Sequence, residues 1–214
     1  MGSFVLHGNI IDSESPERLR VAADSYLVCE EGRCTGVFSA LPERFSGLPL
    51  TDFGDRLILP GMTDLHLHAP QFAFRGLGMD LELLDWLNAH TFPEEAKYAD
   101  LSYAALAYGQ FVDCLRRSAT TRAVVFGTVH PAATTLLMEL LEASGLVSYV
   151  GKVNMDRDCP EALREADAAA SLAAAASAAF CWFFVMMSAA AMPAAMATPP
   201  MRGVGFLLTR RALG

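Results

Sequence analysis

The sequence has no basic excess, because its 16 Lys and Arg side chains are outnumbered by 24 Asp and Glu, giving a formal net charge of −8. Nucleic-acid binding requires a positive face that neutralises phosphates, so this balance argues against DNA or RNA as a partner. The N-terminus also lacks a basic segment followed by an apolar run, which a signal peptide would show. A cytoplasmic location is therefore the expectation.

The number and spacing of the cysteines do not indicate a fold held together by disulfide bonds. There are five cysteines, an odd number at wide spacing, and no second Cys or His pair follows the first two at zinc-ribbon distance. We expect reduced thiols in a reducing compartment rather than a disulfide framework. The five are Cys29, Cys34, Cys114, Cys159 and Cys181.

Charge is absent between Asp167 and Arg202, and about half of residues 168–198 are Ala. Three interpretations compete for this helical or disordered segment: an unrelated tail from a frameshift or misjoined gene model, a buried or interaction helix, or a membrane anchor through residues 172–192. About 20 apolar residues suffice to span a bilayer. The Ala bias without an amphipathic stripe favours the first interpretation.

The rest of the chain predicts an α/β fold in two parts. Residues 1–60 hold short apolar runs bounded by Gly, Asn and Asp, which indicates a small antiparallel β unit. Residues 61–166 alternate strands with helices, the pattern of βαβ units around a parallel sheet. The predicted strands end at His66, run over 122–129 and run over 147–155; the predicted helices are 81–90, 102–117 and 132–144, the last closed by Gly145.

Two histidines, His66 and His68, end the first strand of the α/β part. Residues two apart on a strand point to the same face, so both imidazoles can reach one metal ion. Chance His-x-His pairs on surface strands are common, but here the pair follows an apolar run, at the strand end where α/β barrels carry their sites. Asp64 shares that face and is expected either to orient a ligand or to cap the strand.

Other polar and aromatic positions have a functional and a structural interpretation. His130, at the end of the second strand, either faces the site or is an ordinary polar strand end. Asp156 and Asp158 are solvated loop acids or groups at the mouth of a site. His90 is expected to be a helix-end residue. Trp86 and Phe92 are expected to be core residues, and the alternative is that they form a platform for the substrate.

Residues 59–68, Leu-Pro-Gly-Met-Thr-Asp-Leu-His-Leu-His, resemble the first-strand signature of the amidohydrolase superfamily. Further stretches are similar to guanine deaminases in order and spacing, so that the resemblance covers roughly residues 1–166. These stretches are 68–72, 80–87, 91–95, 126–130 and 149–156.

The resemblance implies a hydrolase in which one zinc ion activates a water that attacks guanine, releasing ammonia and leaving xanthine. His66 and His68 match the first two zinc ligands. Gln71 matches a residue that hydrogen-bonds guanine, and His68, Ala69 and Pro70 would line the same pocket. The family also implies a homodimer.

The resemblance further implies a domain division: a β-sandwich part at 1–60, the first third to half of a (β/α)8 barrel at 61–166, and a tail outside the family at 167–214. A whole barrel takes about 250 residues, and residues 61–167 suffice for about three strands. The family's later ligands, a metal-binding Asp and a proton-shuttling Glu among them, find no match, and no histidine follows His130.

We therefore expect a truncated chain with an incomplete zinc site and little or no deaminase activity. Two alternatives stay open. One is another amidohydrolase that acts on an aminated ring or a cyclic amide. The other is a non-catalytic binding or membrane-anchored protein.

Overall fold

The computed structural model describes residues 2–189 and 206–209. Its strands are β1 Phe4–Ser15, β2 Arg18–Glu30, β3 Arg33–Phe38, β4 Leu50–Pro60, β5 Met62–His68, β6 Thr120–Phe126, β7 Val147–Gly151 and β8 Phe206–Thr209. Its α-helices are α1 Leu83–Trp86, α2 Phe92–Ala96, α3 Leu101–Arg116, α4 Pro131–Ser144 and α5 Ala168–Ala189. The mixed α/β character expected from the sequence is confirmed.

The chain forms two compact units, and the first comprises residues 1–63, residues 118–121 and β8. Its sheet has the order β3-β2-β1-β4-β8, in which β1 and β4 are parallel and the other neighbours antiparallel. Successive side chains alternate between the faces, so Leu27 and Val28 belong to different apolar clusters. The strands extend well beyond the short apolar runs that the sequence showed.

The second unit comprises residues 64–117 and 122–189 of the described chain. Its sheet has the order β5-β6-β7, with β6 and β7 parallel. The helices α3 and α4 supply most of the main apolar core, which includes Phe111 and Leu137. The predicted units 1–60, 61–166 and 167–214 stay predictions.

Local signals set the ends of the two main helices. The Asp100 side chain accepts a hydrogen bond of 2.8 Å from the Ser102 amide at the start of α3. Gly145, with φ of 80°, ends α4 as expected, because the left-handed conformation is one that glycine adopts easily. The predicted strands 122–129 and 147–155 were too long, since β6 stops at Phe126 and β7 at Gly151.

The Ala-rich segment begins as the helix α5, which packs against α4. Its first turns are held by Ser171, whose hydroxyl donates to Glu165 at 2.7 Å. No helix within the described part of the chain is long and apolar enough to cross a membrane. Residues 190–192 of the expected anchor lie outside the described residues.

Candidate metal and ligand site

His66 and His68 lie side by side at the end of β5. Their Nε2 atoms are 3.0 Å apart and their ring centroids 4.9 Å apart. This is the consequence of strand geometry that the sequence predicted, since residues two apart share a face. Two ring nitrogens at this separation can approach one ion at about 2.0–2.1 Å each.

Phe126, the last residue of β6, packs against both imidazoles. Its ring stacks on His68 with centroids 4.7 Å apart and planes at 13°, and lies 5.0 Å from the His66 ring. Burial and, secondarily, the neighbouring His66 lower the pKa of His68. Metal binding requires the neutral imidazole, so this environment favours the ligating form. The sequence did not single out Phe126, because its position depends on the pairing of two distant strands.

The short 3-10 helix Ala69–Phe74 follows the histidine pair directly. Ala69 and Pro70 are buried, and the Tyr98 hydroxyl donates to the Pro70 carbonyl at 3.4 Å. Gln71 instead lines a cavity together with both histidines. Of the four predicted substrate-binding residues, His68 and Gln71 line this cavity, whereas Ala69 and Pro70 do not.

The cavity beside the histidines has a volume of about 610 Å³, within the usual range for small-molecule sites. Its wall is mostly aromatic and aliphatic, with Gln71 and Arg75 as polar side chains besides the histidines. The aromatic part consists of Phe72, Phe74, Trp86 and Phe111. A cavity of this character suits a flat ring that presents a few hydrogen-bonding groups at its edge.

Trp86 forms part of that wall, which corrects its interpretation as a core residue. The predicted helix 81–90 is interrupted: α1 passes into a π-helical turn at Leu87–Thr91 before α2 begins. The indole N–H donates to the Leu77 carbonyl at 3.0 Å, which fixes the ring against the preceding loop. Gly78 makes this possible, because it has φ of 64° and an added Cβ would lie 2.6 Å from the His90 ring.

Arg75 is a further polar group at the cavity that the sequence did not reveal. Its guanidinium lies 3.9 Å from the centroid of the Phe72 ring, and Nη1 donates to the Phe72 carbonyl at 2.8 Å. The cation is thereby held at the cavity edge by a cation–π contact and a hydrogen bond.

Zinc fits the histidine pair as two of its ligands. A catalytic zinc usually has three protein ligands and a water. Within residues 2–189 and 206–209, no group of three His, Cys, Asp or Glu side chains could hold a metal ion. The Asp64 Oδ1 atom accepts a hydrogen bond from the His66 main-chain N–H at 3.0 Å, which favours the strand-capping interpretation.

A buried polar cluster lies elsewhere in the same unit. Glu95 is 2% exposed, its Oε2 has no hydrogen-bond partner, and burial raises its pKa to about 7. Burial lowers the pKa of His130 despite a hydrogen bond with the Glu95 backbone, and the His130 Nε2 atom has no partner. His130 thus packs beside α2, at the start of α4, and is not among the residues that line the cavity.

The other sequence candidates are not among the residues that line the cavity beside the histidines. Asp158 and Phe92 line a second cavity, whereas Asp156 pairs with Arg157 at 3.3 Å. His90 lies within the π-helical turn and stacks on Phe74 with centroids 6.0 Å apart.

Residues 57–205 match the model of the amidohydrolase family. The chain is 43% identical to guanine deaminase of Dictyostelium discoideum over 110 residues, which cover 51% of this chain and 24% of that protein. It is 38% identical to guanine deaminase of Escherichia coli K12 over 168 residues, which cover 76% of this chain and 38% of that protein. The family match runs into the Ala-rich segment, although that segment was expected to lie outside it.

The fold is similar to the crystal structure of guanine deaminase from C. acetobutylicum with guanine bound in the active site. The TM-score is 0.79 at 40% identity, covering 84% of this chain and 43% of that chain. The chain thus spans between 24% and 43% of the length of these three relatives.

Proposed function

This chain belongs to the amidohydrolase family, and from that premise we propose that it binds zinc and guanine for hydrolytic deamination through His66, His68 and Gln71. The observation that carries the proposal is the 3.0 Å approach of the two Nε2 atoms beside a cavity that Gln71 also lines. The relatives named guanine deaminase support the choice of guanine among the substrates of the family.

The cavity chemistry supports a purine. The carboxamide of Gln71 offers a donor and an acceptor, and the edge of guanine presents both. Trp86 and Phe72 offer flat faces for the ring system, on which a planar heterocycle can stack. Arg75 adds a donor that can reach a ring carbonyl at the cavity edge.

Bound zinc would lower the pKa of its water and orient it towards the ring. His66 and His68 would hold the ion in their neutral form, and the strand fixes both rings on one side. Gln71 would fix the position of the purine, three residues from the second ligand.

We also infer the wider architecture from the family. The sheet β5-β6-β7, with α3 and α4, would correspond to the beginning of a (β/α)8 barrel, and the N-terminal sheet to the small β-sandwich beside it. A homodimer and a cytoplasmic location stay predictions of the resemblance. Because the described residues bring together two ligands, we propose that the 214-residue chain alone binds zinc weakly and turns over little guanine.

A zinc titration against a chromophoric chelator tests the metal site. We expect one weakly bound zinc per chain, lost in both His66→Ala and His68→Ala. His7→Ala, in the N-terminal unit, is the matched control and should bind as the parent does. Equal zinc binding by all four proteins would exclude the histidine pair as the site.

Fluorescence tests the ligand. In a Trp182→Phe background Trp86 is the remaining indole of the two in the sequence. Guanine added to the zinc-loaded chain should quench it, and Gln71→Ala should weaken the response, unlike Gln110→Ala on the exposed side of α3. A stronger response to an aminotriazine or to dihydrouracil would favour another amidohydrolase activity, and rapid xanthine formation would refute the expected low turnover.

A further inference from the structure

Two cysteines face each other across the β2–β3 hairpin. Its turn consists of Glu31 and Gly32, which have φ of 51° and 80°, as a two-residue hairpin loop with positive φ at both positions requires. The strand register pairs Glu30 with Arg33 next to the turn and then Cys29 with Cys34, before the register shifts between Cys29 and Val28. Both thiols are free in the structure.

Directly opposed residues in an antiparallel pair have their side chains on the same face. Their Cα atoms are about 4.5 to 5.5 Å apart, a separation within the range of about 4.4–6.8 Å that disulfides span. We propose that Cys29 and Cys34 form a reversible cross-strand disulfide. Rotation about the Cα–Cβ bonds brings the sulfurs together while the strands remain paired.

The surroundings assign different roles to the two thiols. Cys29 is 1% exposed, whereas Cys34 is exposed and can meet an oxidant. Loss of solvent around the sulfur raises the pKa of Cys34, and a hydrogen bond with the Gly36 backbone and the nearby Arg20 oppose this in part. Cys34 is therefore the attacking thiol and Cys29 the resolving one.

The oxidant is a low-molecular-weight disulfide such as oxidised glutathione. The Cys34 thiolate attacks one sulfur and releases one glutathione thiolate, leaving a mixed disulfide. The Cys29 thiolate then attacks the Cys34 sulfur and releases the second glutathione. The two protein thiols lose two protons and two electrons in total, and one oxidised glutathione becomes two reduced molecules.

Partial loss of solvent around the sulfur is the main cause that raises the pKa of both thiols. The thiolate fraction at neutral pH is therefore small, and the exchange should be slow at pH 7 and faster at pH 8.5. Cys114 is an internal control, because it is also exposed but lies in the helix α3 and not opposite a cysteine in a strand pair. It should stop at the glutathione adduct.

Trypsin and mass spectrometry test the proposal directly, because Arg33 lies between the two cysteines. The full chain is equilibrated with oxidised glutathione at pH 8.5, its free thiols are alkylated, and it is digested without reductant. We expect peptide 21–33 linked to peptide 34–44, a loss of about 2 Da from the intact chain for this bond, and reversal by dithiothreitol.

Two variants and two further readouts make the result decisive. Cys29→Ala should leave Cys34 as a stable glutathione adduct, and Cys34→Ala should leave the buried Cys29 largely unreacted. Unchanged circular dichroism shows that the fold is retained. The proposal fails if Cys114 is glutathionylated while peptides 21–33 and 34–44 stay unlinked, or if the bond joins two copies of the chain on a non-reducing gel.

Discussion

Replacing Glu95 with Gln should make the chain more stable at high pH. The carboxyl is 2% exposed, its Oε2 has no hydrogen-bond partner, and burial raises its pKa from 4.5 to about 7. The folded state therefore holds a proton that the unfolded state releases between these two values. The stability contributed by the neutral carboxyl is complete below pH 4.5 and is lost as the pH rises through 7.

The magnitude follows from the two pKa values. Each pH unit between them changes the free energy of unfolding by ~1.36 kcal/mol. Between pH 5 and pH 8 the parent should lose roughly 2.5 kcal/mol through this one group. The amide of Glu95→Gln stays neutral throughout and retains a similar shape. The stability gain of the variant over the parent should therefore grow by that amount across the range.

Urea unfolding at pH 5, 6, 7 and 8 measures this difference, followed by Trp fluorescence and by circular dichroism. The two signals should be analysed separately, because two compact units need not unfold together. Glu139→Gln, on the exposed side of α4, controls for the loss of one carboxylate from an acidic chain. A gain for Glu95→Gln that stays constant from pH 5 to pH 8 would refute the buried-acid argument.

Three further changes test the packing of the second unit. Gly78→Ala should destabilise the chain by about 1–3 kcal/mol and weaken the response of Trp86 to guanine, since the new methyl meets the His90 ring; an unchanged urea midpoint would contradict this. Lys152→Met should lower the free energy of unfolding by about 3 kcal/mol, because it removes the cation that pairs with the Glu165 carboxylate. Adding Glu165→Gln to the same chain should restore part of this loss, since no unpaired carboxylate then remains. Asp100→Ala should lower the free energy of unfolding by about 1 kcal/mol, because the N-terminal cap of α3 is lost. Urea unfolding measures this loss, with Asp113→Ala as the control, because Asp113 instead pairs with Arg117 on the surface.

The Lys152 pair also has a defined pH dependence. Burial by itself would raise the pKa of Glu165, but hydrogen bonds from Lys152, Ser171 and the Met155 amide hold it below the ordinary value. A lowered carboxylate pKa contributes stability above the ordinary Glu value, and this stability is lost as the pH falls through the folded-state value. Lys152→Met should therefore be closest to the parent in strongly acidic solution.

The sequence alone determined features that depend on short-range periodicity. Alternation along a strand predicted that His66 and His68 share a face, and their Nε2 atoms meet. Alternating strands and helices predicted the parallel pairing of β6 with β7, and Gly145 marked the end of α4. These features follow from backbone geometry and from the conformational range of single residues, which neighbours in the sequence reveal.

Tertiary structure alone decided which distant residues surround the histidines. The predicted helix 81–90 favoured a core position for Trp86, but the π-helical turn and the positive φ of Gly78 place its ring on the cavity wall. Phe126 packs against the imidazoles because β5 and β6 are neighbours in the sheet. Glu95 resembles any helical acid in the sequence, and the packing of α2 within its unit removes it from water. Each of these outcomes depends on contacts between residues far apart in the sequence, which the local periodicity of the sequence does not reveal.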